Sequence, residues 1–139
     1  MRPLALLSLL LLAGCAWDHE PPFARVPYEP LSRNSVVQID PGRCLGLTGC
    51  REVIRMVEAA GLRYSAHSWS SAVNTAASVH ALAISASADV IDFKPHESPV
   101  QGELVDDPWR QTDGVLPLRP LPGLGISVRD ETVERLALT

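Results

Sequence analysis

The sequence predicts an α/β fold of about three parallel strands with crossover helices, and three observations predict it. Short β-prone runs recur near 35–40, 62–66 and 90–93. Two helix-length segments lie between them, near 48–60 and 70–86. The twelve prolines cluster in 21–30 and 95–122, so the flanks are turn-rich and the middle is regular. The order β, α, β, α, β belongs to parallel strands, because parallel neighbours need a crossover rather than a tight turn. At 139 residues there is room for one domain and one modest core. The composition, 46% apolar and 20% charged, is ordinary for a globular chain. A net charge of −4, with no basic run and few aromatics, argues against nucleic acid as a partner.

Residues 1–15 resemble an export leader with a lipobox. Arg2 is a minimal positive n-region, and Leu4 to Leu12 is an apolar run broken only by Ala5 and Ser8, too short to span a bilayer. Leu12-Ala13-Gly14-Cys15 follows, which makes the Cys15 thiol the expected lipid acceptor and membrane anchor. A buried apolar helix, or a start codon chosen too early, would leave the same pattern. Residues 16–34 carry four prolines and no sustained period, and are expected to form an irregular linker. His19 beside Asp18 and Glu20 is no metal site, since three adjacent residues do not converge on one ion. Cys44 and Cys50 are too few for a disulfide framework.

The regular middle begins with Ser35-Val36-Val37-Gln38-Ile39, ending at Asp40 and broken by Pro41-Gly42. In the next segment Cys50, Val53, Ile54, Val57 and Ala60 fall on one helical face, and Arg51, Glu52, Arg55 and Glu58 fall elsewhere. Thr48 is the expected N-cap and Gly61 the expected residue beyond the C-cap. Leu62 to Ala66 is the second strand. Ser70 to about Ser85 is an Ala-rich helix of about four turns with one face toward a sheet. Val90 to Phe93 is the third strand. Residues 113–139 are expected to be a mostly irregular return with a short helix near Glu131–Leu136.

Reactive groups in such folds gather at the carboxyl ends of the strands. Asp40, His67 and Asp92 stand at those ends. Asp40 and His67 are 27 residues apart, close to the roughly 31 of one βα unit in a whole barrel. A carboxylate beside an imidazole fixes its tautomer and raises its basicity, as a general base requires. The alternative is a buried histidine bonded to backbone, with the aspartate merely capping the helix entry.

Residues 35–139 resemble the mandelate racemase and muconate lactonizing enzyme group of the enolase superfamily. The resemblance rests on "VVQIDPGRCLGLTGCREVIRMVEAAGLRYSAHSWSSAVNTAASVHALA", on "ADVIDFKPHESPVQGELVDDP" and on the ending "DGVLPLRPLPGLGISVRDE". It implies that 35–112 is the C-terminal fragment of a (β/α)7β TIM-like barrel and 113–139 its return segment. The implied chemistry is removal of the proton α to the carboxylate of a small acid such as an acid sugar, by a dehydratase or racemase. Asp40 would match the aspartate ending the sixth strand and His67 the histidine ending the seventh, a base dyad. Asp92 stands where related enzymes carry a glutamate that binds the substrate carboxylate, and it is one methylene shorter. Lys94 would face an anionic substrate or make a rim salt bridge, and Trp69 would line the pocket. His80 has no matching role.

The family's Mg²⁺ is implied as well, but its carboxylate ligands come from strands with no counterpart among these residues, so no metal ligand is assigned here. Three expectations follow: a fragment inactive alone, an exported lipoprotein using the half-barrel as a binding or structural module, or half of a split enzyme working with a chain that carries the missing strands. The leader points to a membrane-anchored or periplasmic protein, and the family to a cytoplasmic one.

Overall fold

The computed structural model of the chain describes residues 32, 34–94 and 98–137. The leader, Cys15 and nearly all of 16–34 lie outside the described residues. Three strands, β1 (Val36–Ile39), β2 (Arg63–Ser68) and β3 (Ala88–Phe93), form one sheet in the order β1-β2-β3, parallel at both seams. The crossovers are α1 (Gly46–Ala59) and α2 (Ala72–Ala83). One turn of helix, α3 (Pro99–Gly102), and a final helix, α4 (Asp130–Leu136), punctuate the C-terminal segment. No described helix is long and apolar enough to cross a membrane.

Both crossover helices cover one face of the sheet. Cys50, Ile54 and Val57 of α1 pack with Ile39, Tyr64, Ala66 and Ala81. Ala76 and Val79 of α2 pack with Ile91 and with Trp109 from the C-terminal segment. Strand side chains alternate between faces, so burying Ile39, Tyr64, Ala66 and Ile91 under helices turns Gln38, Ser65, His67 and Asp92 to the other face. A bulge adjusts this alternation: Tyr64 pairs with Ala88 but Ala66 with Ile91, an extra residue on β3. That one-residue shift sets Asp92, rather than Ile91, opposite His67.

Thr48 is not the cap of α1. The helix begins at Gly46, its N-cap is Leu45 in the left-handed region (φ 64°), and no side chain caps it. The reason is the tight turn before it. Gly46 N–H donates to the Pro41 carbonyl at 3.0 Å, and the Cys44 carbonyl lies where a Cβ on Gly49 would be, at 1.9 Å. Gly49 thus lets the turn fold against the first helical turn and starts the helix early. The other end is as expected. Gly61 has φ 68°, its N–H reaches the Glu58 carbonyl at 2.9 Å, and Leu62 N–H reaches Val57 at 3.0 Å. This pair of bonds closes the last turn, and buried Leu62 packs on the same core as Val57.

The second helix is shorter than the sequence suggests. Ser71 caps it, accepting from Asn74 N–H, and it stops at Ala83 rather than near 86. Beyond it, Glu58 takes over the backbone: one carboxylate oxygen accepts from Ser85 Oγ at 2.9 Å and Ala86 N–H at 2.7 Å. These donors, the Ser85 hydroxyl first, hold the Glu58 carboxyl below its ordinary pKa.

Candidate functional site

The sheet face away from the helices carries the candidate residues. Asp40 follows β1, and its carboxylate is nearly buried. His67 lies one residue before the end of β2 and remains about a quarter exposed. His67 Nδ1 stands 2.9 Å from Asp40 Oδ2. A carboxylate only accepts hydrogen bonds, so Nδ1 carries the proton and Nε2 keeps its lone pair. The other Asp40 oxygen accepts the Gly42 amide at 2.8 Å. Asp40 therefore does both things the sequence left open: it orients an imidazole and caps the turn that follows. Burial pushes its pKa up, but hydrogen bonds from His67 and Gly42 and the nearby Asn74 amide outweigh that, so it stays below the ordinary carboxylate range.

Asp92 forms a second group on the same face. Trp69 Nε1 donates to its Oδ1 at 3.0 Å and Gln38 Nε2 to its Oδ2 at 3.1 Å. The Trp69 ring stacks on the His67 ring, centroids 5.9 Å apart and planes within 15°. A chain of contacts thus runs across the sheet from Gln38 through Asp92 and Trp69 to His67 and Asp40. Lys94 stands apart from it, donating to Ser98 Oγ at 3.3 Å. The Arg43 side chain is highly exposed and lies 3.7 Å from Asp40 Oδ2, where solvent screens it.

Three participants escaped the sequence reading. Gln38 was visible in principle, since it sits two residues before Asp40 and so on the same face of the strand. Asn74 was one of several polar positions, with Thr75, Ser78 and His80, in an Ala-rich helix. Ser78, on α2, donates to the His67 carbonyl at 3.0 Å and ties the end of β2 to the helix behind it.

Among the described residues no group of three or more His, Cys, Asp or Glu side chains could hold a metal ion. The two carboxylates of the site do not fit Mg²⁺ by themselves: no third acidic, histidine or cysteine side chain among the described residues joins them as a ligand, and each is held by protein donors, Asp40 by His67 and Gly42 and Asp92 by Gln38 and Trp69.

Comparison with known proteins gives a consistent outcome. The enolase C-terminal domain-like family matches residues 31–132. An enolase of the mandelate racemase subgroup from Agrobacterium tumefaciens is 25% identical, with a TM-score of 0.62 over 72% of this chain and 27% of that one. A mandelate racemase/muconate lactonizing enzyme-like protein from Rubrobacter xylanophilus is 23% identical, with a TM-score of 0.63 over 72% of this chain and 26% of that one. A candidate galactarate dehydratase from Agrobacterium radiobacter, solved with sodium and L-malate bound, is 22% identical, with a TM-score of 0.63 over 72% of this chain and 29% of that one. The chain spans about a quarter of the length of these solved chains. No curated protein sequence matches it.

Proposed function

The chain belongs to the enolase C-terminal domain-like family, in the mandelate racemase and muconate lactonizing enzyme group, and from that premise we propose that it supplies one face of an active site that removes the proton α to a carboxylate. The substrate class is a small hydroxy acid such as an acid sugar, and the outcome is dehydration or racemisation. The observation that carries this reading is the 2.9 Å contact between His67 Nδ1 and Asp40 Oδ2 at the carboxyl ends of adjacent parallel strands.

In this reading His67 Nε2 is the general base. As it takes the proton the ring becomes an imidazolium, and the buried Asp40 carboxylate stabilises the new charge. Trp69, stacked on the ring, limits its rotation and covers one side of it. Asp92, held by Gln38 and Trp69, offers the substrate an acceptor, which suits a hydroxyl donor better than a second carboxylate. The superfamily generally depends on Mg²⁺ for stabilising developing charge. Asp40 and Asp92 do not carry that chemistry. In this reading His67 is the base and Asp92 the hydroxyl acceptor, and the metal ligands come from further barrel strands.

The test is solvent exchange. The 139-residue chain is incubated in deuterium oxide with a 2-hydroxy acid and Mg²⁺, alone and with a chain supplying the first five strands and capping domain of a family member. No α-proton exchange is expected alone. Exchange in the mixture, lost on His67→Asn, supports the reading. A mixture that assembles yet exchanges nothing, or exchange that survives His67→Asn, refutes the assignment of His67 as the base.

A further inference from the structure

The turn that carries Asp40 is tied by its own backbone at two points, Arg43 N–H to the Asp40 carbonyl at 2.9 Å and Gly46 N–H to Pro41 at 3.0 Å. These bonds shape the turn without fixing it relative to β2 and His67. Besides the His67 contact itself, one further bond comes from outside it. Gly42 N–H, already bonded to Asp40 Oδ1 at 2.8 Å, is shared with Asn74 Oδ1 at 3.0 Å. Asn74 is 32 residues away, on α2, the helix that follows the strand bearing His67.

Asn74 is placed to be rigid. It is only 7% exposed, and its backbone N–H is held by the Ser71 cap at 3.4 Å. Its side-chain nitrogen is buried with no hydrogen-bond partner of good geometry, a cost that an alanine here would avoid. The buried helix positions around it mix apolar Ala72, Ala76 and Val79 with polar Thr75 and Ser78, and both hydroxyls have hydrogen-bond partners of their own. What the amide gains is the Gly42 contact, together with proximity to the Asp40 carboxylate, whose ionised form it favours. Gly42 completes the arrangement: a Cβ there would lie 3.0 Å from Asn74 Oδ1 and 3.1 Å from Asp40 Oδ1, crowding both oxygens.

We infer that Asn74 is a positioning residue for the dyad: through the shared Gly42 amide it locks the Asp40 carboxylate against β2 and thereby selects the His67 tautomer with the proton on Nδ1. This deepens the proposed function and rests on it for its catalytic meaning. The geometric claim stands on the shared bond. A loosened Asp40 would let the imidazole populate the tautomer with the proton on Nε2, and that form cannot accept a substrate proton.

The experiment reads the tautomer directly, in the full chain and without substrate. Imidazole ¹⁵N shifts of His67 are recorded above its titration range for the parent, Asn74→Leu, Gly42→Ala and Asp40→Asn. The parent is expected to show well-separated nitrogens with the proton on Nδ1, and Asp40→Asn to lose that separation. Partial loss in both Asn74→Leu and Gly42→Ala, with a rise of the Asp40 carboxyl titration toward its ordinary range, supports the inference. A parent-like pattern in both variants overturns it and leaves the dyad standing. No change in Asp40→Asn would overturn the dyad itself, and the inference with it. Should Asn74→Leu fail to fold, a scalar coupling across the hydrogen bond from Gly42 N–H to the Asn74 side-chain carbonyl in the parent decides, its absence being the negative result. In the complemented enzyme, with active sites counted independently because loss of folded protein alone would also lower apparent kcat at unchanged KM, Asn74→Ala is expected to lower kcat per active site with little change in KM.

Discussion

Between Val36 and Phe93 every strand hydrogen-bonds a neighbour along its length. Between Ser98 and Leu136 the described residues form two short helices and no strand, and β-pairing is limited to isolated bridges, Val105 with Val128 and Thr112 with Val115. In the first region burial is spread over many small contributions, with Cys50, Ile54, Val57, Leu62, Tyr64 and Ala66 sharing one core. In the second it is concentrated. Trp109, nearly fully buried, seats on Ala76 and Val79 of α2, with Leu116, Leu124 and Ile126 packed around it. Its indole donates to the Pro117 carbonyl at 2.9 Å, the His80 ring meets it edge-on at 6.2 Å, and the Arg119 guanidinium lies 4.2 Å from its centre. Arg119 also donates to the Asp107 carbonyl at 2.6 Å, so one residue both covers the indole and pins the loop beside it. A periodic region can lose one contact and keep its shape, whereas a region hung on a few side chains, Trp109 and Val105 above all, has less to spare.

The largest expected effect breaks this contrast at its anchor. Trp109→Ala should cost about 3–5 kcal/mol, against about 0.5–1.5 for Ile54→Val in the shared core. Denaturant midpoints measure both. Hydrogen exchange should show the loss of protection confined first to the segment after Ser98. Uniform loss across β1 to β3 would mean that the two regions unfold as one unit and that the contrast is false.

The same contrast explains what could be read in advance. The α1 face of Cys50, Val53, Ile54 and Val57 was legible because burial recurs with the helical period, and Gly61 because only glycine readily takes a positive φ at a helix end. Asp40 and His67 were legible because strand ends expose side chains. Thr48 misled, because the helix start is decided by the close approach of the Cys44 carbonyl to Gly49, a turn geometry that the capping pattern does not announce. The bulge that brings Asp92 opposite His67 was hidden for a similar reason: it depends on how β3 meets β2, and no residue of β3 announces it. Trp109 falls on no helical or strand period of the sequence. Its role as an anchor needs partners from α2 and from Leu116 to Ile126, and no period connects them.

Two intermediate tests sharpen the comparison within the regular unit. Gly61→Ala places a side chain at φ 68° and should cost about 1–2 kcal/mol, read from the thermal midpoint, while leaving the rest of α1 intact. Asp40 supplies a pH-dependent contribution. Its carboxyl is held below the ordinary value of 3.8, so between the native and unfolded values the unfolded chain binds more protons and stability rises with pH. The contribution is complete above the ordinary value and is lost as pH falls through the native one. Asp40→Asn should flatten that acid limb of the stability curve, and an unchanged limb would mean that Asp40 is not the group responsible.

The smallest expected effect concerns how the return closes on itself. Thr132 Oγ1 donates to the Glu103 carbonyl at 3.1 Å, and the Arg135 guanidinium pairs with the Glu103 carboxylate, so α4 is tied to the end of α3 twice. The hydroxyl is buried, whereas both charged side chains are about half exposed. Exposed pairs lose most of their Coulomb energy to water and salt, and ordering two long side chains offsets part of the remainder. A double-mutant cycle over Arg135→Ala and Glu103→Ala should therefore give a coupling of only about 0.2–1 kcal/mol, falling further in 1 M salt. Thr132→Val should cost more than that coupling, because it removes a part-buried hydrogen bond made by a buried hydroxyl, which water and salt screen less than the exposed pair. A salt-resistant coupling well above that range would place the closure of the return in its surface charges and would weaken the case for Trp109 as its main anchor.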